Sequence, residues 1–167
     1  MTSRAYVLTE TTLKFNGEAG ADVAWSMESI ADGAGRVSAQ HDFGAGARAF
    51  EFDWSCELLW QATPTQYQSL ELYVSGAPDS DATQIDGDIG SSDAALGDVD
   101  QVNNMQLIGT VVVEDAATTI MVASGSFEFT NRYITLVAIN NGGSSINATD
   151  SNFIFLLTPK SIQGQAT

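Results

Sequence analysis

Phe50-Glu51-Phe52-Asp53-Trp54-Ser55-Cys56-Glu57-Leu58-Leu59-Trp60-Gln61 decides the class of this fold. Every even position is apolar, and every odd position except Leu59 is polar or charged. Successive side chains of an extended chain point to opposite faces, so the pattern describes a long strand with one buried and one wet face. Phe50, Phe52, Trp54, Cys56, Leu58 and Trp60 are expected inside, and Glu51, Asp53 and Glu57 outside. A strand this long and aromatic belongs in the core of a β-sandwich or barrel.

On both sides of it, short runs of Thr, Val, Ile and aromatic residues alternate with Gly, Asn, Asp and Ser, and helix signals are nearly absent. The candidate strands are Thr11–Asn16, Val23–Ile30, Ala47–Gln61, Gln68–Ser75, Met105–Glu114, Thr118–Phe129, Arg132–Asn140 and Asn152–Pro159, with a weaker pairing segment near Ser145–Ala148. That many strands predict an all-β domain, an antiparallel β-sandwich over residues 11–167. Residues 1–10 show little polarity contrast and are expected to be a mobile N-terminal arm. Arg4 and Tyr6 are its expected anchors on a partner, because Arg and Tyr are favoured at interface hot spots. Asn140-Asn141-Gly142-Gly143 reads as a type I′ hairpin turn. Gly76–Asn104, with seven Asp and no basic residue, is the longest irregular stretch, and a connection of that length is functional or mobile.

Two late strands are apolar on both faces. Ile134, Leu136 and Ala138 share one face of their strand, and Tyr133, Val137 and Ile139 the other. Phe153, Phe155 and Leu157 likewise stand opposite Ile154 and Leu156. The second faces need cover, either from the chain's own loops or from a neighbouring subunit. Tyr133, Val137, Ile139, Ile154 and Leu156 are therefore interface candidates beside Arg4 and Tyr6.

Composition excludes some partners. The 21 acidic and 6 basic residues leave a net charge of −15, which disfavours nucleic acid and anionic membrane surfaces. Met1 to Gly20 carries Arg4, Glu10, Lys14 and Glu18 and no apolar signal-peptide core, so synthesis in a cytoplasm is expected. Cys56 is the one cysteine and falls on the apolar face of the long strand, where it is expected to be buried and inert.

No catalytic or cofactor set emerges. His41, the one histidine, lies in a Gly-rich loop beside Asp42, without a Gly-x-Ser-x-Gly nucleophile motif. Asp86-Gly87-Asp88-Ile89-Gly90 hints at calcium, but an EF-hand loop begun at Asp86 would place Gly90, Ser91 and Gly97 where a ligand, Gly and Glu are needed. Neither Gly33-x-Gly35 nor Gly44-x-Gly46 completes a phosphate-binding pattern. The expectation is a non-enzymatic protein with no cofactor and no assigned metal. Trp25, Tyr67 and Tyr73 are the freer candidates to stack on a sugar, the requirement of a glycan-binding module, but packing in the core or at an interface is the expected fate of each.

One ordered series of short motifs remains. It runs Ile30-Ala31-Asp32-Gly33-Ala34-Gly35-Arg36, Asp42-Phe43-Gly44, then the long strand closed by Ala62-Thr63-Pro64-Thr65, then Leu70-Glu71-Leu72-Tyr73-Val74. Ser92-Asp93-Ala94-Ala95, Met105 through Val113, Asn131-Arg132-Tyr133-Ile134, Asn140-Asn141-Gly142 and Leu156-Leu157-Thr158-Pro159 follow. The series, from Ile30 to Pro159, resembles small structural proteins of tailed-bacteriophage virions, some of which act as capsid decoration or cement proteins. The resemblance implies a jelly-roll sandwich on the outside of the assembled head, bound to the major capsid protein and stabilising it. A homotrimer is expected by analogy with decoration proteins. A head-fibre, tail or baseplate component and a host-glycan-binding module are the alternatives.

Overall fold

The computed structural model describes residues 5–45, 49–80, 85–114 and 119–164, with the backbone alone at 5–9 and 161–164. Its strands are β1 (Ala5–Thr9), β2 (Leu13–Asn16), β3 (Val23–Ala24), β4 (Gly35–Val37), β5 (His41–Asp42), β6 (Glu51–Leu58), β7 (Ser69–Ala77), β8 (Ala94–Ala95), β9 (Gln106–Val112), β10 (Met121–Glu128), β11 (Tyr133–Asn141) and β12 (Phe153–Gly164). The helical turns among the described residues are short 3-10 segments at Asp86–Asp88, Val99–Asn104 and Asp150–Asn152.

The strands form two six-stranded sheets. The first runs β10-β6-β12-β2-β3, with β1 beside the far end of β12, and the second runs β8-β4-β11-β7-β9, with β5 also on β11. Pairing is nested: β2 with β12, β4 with β11, β6 with β10 and β7 with β9, all antiparallel. A chain doubled back on itself and rolled so that these pairs fall into opposing sheets is a jelly roll, so the fold is the expected antiparallel sandwich.

The long strand takes the phase its alternation requires. Phe52, Trp54, Cys56, Leu58 and Trp60 are buried, while Asp53 and Glu57 are exposed. Phe50 departs from it: it is 38% exposed, at the open end of β6 before the first ladder pair, Glu51 with Glu128. Burial pushes the Cys56 thiol pKa far up, which keeps it a neutral packing group. Trp25 is fully buried rather than free for a sugar. Its ring meets Phe153 and Phe155 edge-on at centroid distances of 5.1 and 5.7 Å, and its Nε1–H donates to the Arg36 carbonyl. Tyr73 is also committed, its hydroxyl donating to Glu71 at 2.7 Å.

The segment read as an arm contains a strand. Ala5–Thr9 pairs antiparallel with the last residues of β12, from Lys160 to Gly164. Because β12 pairs with β6 only as far as Lys160, the two strands continue as a ribbon off the first sheet.

The acidic stretch from Ile85 onward is a lid. Ile89, Leu96, Val102 and Met105 lie across the outer face of the second sheet, on Val37, Val137 and Ile139. Ile85 and Ile89 cover Tyr133 and Ala77. Hydrophobic burial beneath it explains why an Asp-rich connection holds one course. Asp93 fastens it: Oδ2 accepts from Ser26 N–H at 3.1 Å and Ser26 Oγ–H at 2.6 Å, and Oδ1 accepts from Arg36 Nε at 2.7 Å. Burial raises the Asp93 pKa, but the bonds from Arg36 and Ser26 outweigh it and hold the carboxyl below its ordinary 3.8. A depressed folded-state pKa stabilises above the unfolded value, and that stabilisation is lost as pH falls through the folded one. Asp93→Asn should therefore be less stable than the parent at pH 7, with the gap closing below about pH 4. Urea unfolding of both proteins across that range checks it, and a gap independent of pH would remove Asp93 as the fastener.

Candidate functional site

The two long sheet edges lie side by side. β9 and β10 end their respective sheets with seven and eight residues, whereas the opposite edges, β8 and β3, have two each. β10 alternates: Met121 and Phe127 point into the core, and Val122, Ser124, Ser126 and Glu128 face solvent. Phe129 N–H donates to the Phe50 carbonyl, and antiparallel pairing sends alternate residues' backbone groups to opposite sides. Gly125 and Phe127 therefore bond to β6, while Val122, Ser124, Ser126 and Glu128 turn their N–H and C=O groups outward, where no described strand pairs with them.

Between the two edges runs a seam with a pinch at its middle. A side chain at Gly125 would begin 2.8 Å from Trp54 Nε1, and one at Gly109 would strike the same indole. Glycine on both edges lets the strands close over that ring. Toward the β9–β10 connection the seam opens into a cleft of about 490 Å³ lined by Thr110, Val112, Glu114, Ile120 and Val122 among others. At the other end a cleft of about 390 Å³ is lined by Asp86, Asn104, Gln106, Glu128, Phe129 and Asn131 among others. Their linings include Asp86, Glu114 and Glu128 and no Lys, Arg or His. Val112, Ile120 and Val122 are exposed at the first of these clefts, Val122 by 64%. A cluster of exposed aliphatic side chains marks an interaction surface more than a scatter of single ones would.

The residues singled out in the sequence fall elsewhere. Arg4 lies outside the described residues, and of Tyr6 only the backbone is described, opposite Gln163 in the ribbon. Tyr133, Val137 and Ile139 are buried beneath the lid, so of the two expected covers the chain's own loop is the one present, and these three are not available as a subunit face. Ile154 and Leu156 are half-buried on the outer face of the first sheet, beside Glu57 and Ser55. Tyr133, Val137, Ile139, Ile154 and Leu156 line neither cleft of the seam. Sequence reading missed the seam because edge position depends on topology. One signal was present: Met121–Glu128 carries no Lys or Pro to blunt an exposed edge, and its one charge, Glu128, stands at the end.

His41 stands edge-on to Phe43 at 4.9 Å in a cleft shared with Glu10, Thr11 and Asp42. Burial lowers its pKa, opposed by the charges of Asp42 and Asp22. Asp42 is committed to Arg132, accepting from Nε at 2.7 Å and from Nη2 at 2.6 Å, and these bonds hold its pKa down to about 2. That fork engages both oxygens of Asp42, the carboxylate next to His41 in sequence. In the acidic lid, Asp88, Asp98 and Asp100 border a shallow hollow. Asp98 is spent as a cap, accepting from Asp100 N–H, and the described residues contain no metal-holding group of His, Cys, Asp and Glu. Tyr67 is 80% exposed on a left-handed backbone with φ 69°, held by its N–H on the Val113 carbonyl at 3.0 Å.

No family model matches this chain, and no curated protein does. Among solved structures it is similar to the EclA C-terminal domain, a sugar-binding protein, at 11% identity and TM-score 0.36, covering 98% of this chain and 79% of that one. It is also similar to the N-terminal endo-1,4-beta-D-xylanase 10B of Clostridium thermocellum, CBM22-1 and GH10 modules complexed with xylohexaose, at 15% identity and TM-score 0.39. There the match covers 93% of this chain and 27% of the other.

Proposed function

We propose that this chain is a non-enzymatic attachment protein, a decoration or cement protein on the head of a tailed-phage virion, held to the major capsid protein through the seam between β9 and β10. The observation that carries the attachment reading is the group of Val112, Ile120 and Val122 beside two open sheet edges. Aliphatic side chains offer no π face to a pyranose ring, but they bury well against another protein. The virion setting comes from the ordered motif series between Ile30 and Pro159. In a homotrimer on the head, Ile154 and Leu156 would be the residues left to make the subunit contact, since the lid covers those of β11.

The reading is tested on purified particles from the source of this sequence. Mass spectrometry should find the chain in intact virions, and recombinant protein should co-sediment with particles stripped of it. Ile120→Glu together with Val122→Glu should weaken that attachment, since both side chains are largely exposed and neither supports the core. Absence from the particles would remove the virion setting, and undiminished attachment of the double variant would move the contact away from the seam.

A glycan-binding module is the second reading, and Tyr67 favours it. Strained backbone beneath a displayed aromatic ring is a feature found at functional sites, and Gln66 and Gln68 flank it with amide groups. On a glycan array, a bound sugar lost in Tyr67→Ala would favour this reading, and a blank array would remove it.

A further inference from the structure

The geometry points to strand addition: an extended segment of the partner, with Lys or Arg at alternate positions, pairs with the open edge of β10. The inference rests on the attachment reading and adds its occupant. Val122, Ser124, Ser126 and Glu128 each turn an N–H and a C=O outward. The register of β10 on β6 runs without a bulge from Met121 to Glu128. Edges of this kind are ordinarily blunted by Lys, Pro, a bulge or a covering loop, and a bare one is a template for another strand. Main-chain bonds give such a complex its affinity, and the alternate side chains give it specificity.

Charge selects the strand. On the outer face, β6 places Glu57 beside Val122, Asp53 beside Ser126 and Glu51 beside Glu128. Lys160 is shared between Glu51 and Asp53, at 2.8 Å from each, and leaves one negative charge among the three. Glu57 and Glu128 have no ion-pair partner among the described residues. An added strand's outward side chains would stand directly beside Glu128 and about 10 Å from Glu57, across β10, a span that suits the long side chains of Lys or Arg. The alternate side chains would turn to the seam, toward Val112 and Ile120, which suits small aliphatic groups. A second copy of this chain, with a net charge of −15, would be repelled by the like charge of this one, so self-pairing is disfavoured.

The probe is an eight-residue alternating Lys–Val peptide, the length of β10, compared with its Glu–Val counterpart on the full chain at low salt. Amide hydrogen exchange read by NMR should slow at Val122, Ser124, Ser126 and Glu128 with the Lys–Val peptide alone, and salt should weaken the effect. Ser124→Pro deletes one outward donor without touching the bonds to β6 and should weaken binding roughly tenfold, with the thermal unfolding transition as the control for folding. Glu57→Lys with Glu128→Lys, which leaves the backbone alone, should reverse the peptide preference. Equal response to both peptides, or protection elsewhere than these four amides, overturns the inference. Particle attachment undiminished in Ser124→Pro overturns strand addition while the attachment reading stands. Protection of β10 by the peptide, in a chain absent from particles, removes the virion setting and leaves strand addition standing.

Discussion

Trp25→Ala lowers stability by about 3–5 kcal/mol, the range for deleting a large buried aromatic side chain. The ring is fully buried where β2, β12 and the start of β4 converge, edge-on to Phe153 and Phe155 and near Phe15. Edge-to-face ring pairs add to the area term, so several favourable contacts go with one side chain. The Arg36 carbonyl loses its donor as well. For a chain of this size each kcal/mol moves the melting temperature by about 2–4 °C, so a drop of roughly 10 °C is expected in a thermal scan. Tyr67→Ala is the matched control: the residue is exposed, and its removal should change stability by less than about 0.5 kcal/mol. Equal losses for the two variants would place Trp25 outside the core.

Asn140→Ala is expected to cost on the order of 3–5 kcal/mol by a different route, since each buried polar group left unpaired costs about 1–3 kcal/mol. The Asn140 side chain is fully buried and uses both ends. Its Oδ1 accepts from Trp60 Nε1 at 3.1 Å and Gly142 N–H at 3.0 Å, and its Nδ2 donates to the carbonyls of Ile30 at 2.9 Å and Ser144 at 2.8 Å. One amide thereby joins the long strand, the loop before β4 and the turn after β11. Asn140→Asp separates polarity from shape: it keeps the acceptor and the volume but places a carboxylate oxygen against two carbonyls. It should be destabilised at pH 7, and urea unfolding should show part of that loss recovered in acid as the carboxyl protonates. If both variants melted like the parent, the amide would hold nothing together.

The same residue shows where sequence reading stopped. Asn140-Asn141-Gly142-Gly143 was legible as a turn, but a type I′ turn needs positive φ at both central residues, and neither Asn141 nor Gly142 has it, whereas Gly143 after them does. Tertiary bonds from Asn140 shape the turn in place of the local preference. Val23–Ile30 likewise has strand composition, yet only Val23–Ala24 joins a ladder, because Trp25 and Met27 are drawn into the core instead. Strand propensity describes fit to a pleated surface, and it yields when a neighbouring core takes the side chains.

Alternation alone determined the class of fold and the phase of the long strand, because a period of two allows only one face of it to be wet. It also placed Ile134, Leu136 and Ala138 with Phe153, Phe155 and Leu157 in one core. Alternation could not say what covers the second face of β11, since that depends on where a distant acidic segment lies down. Nor could it say that β9 and β10 end their sheets side by side. Edge position belongs to the nested pairing of the whole chain, and the seam exists because the long edges of both sheets meet on the same side of the sandwich. Local pattern sets the inside and outside of each strand; only long-range pairing decides which strands are left with a free edge.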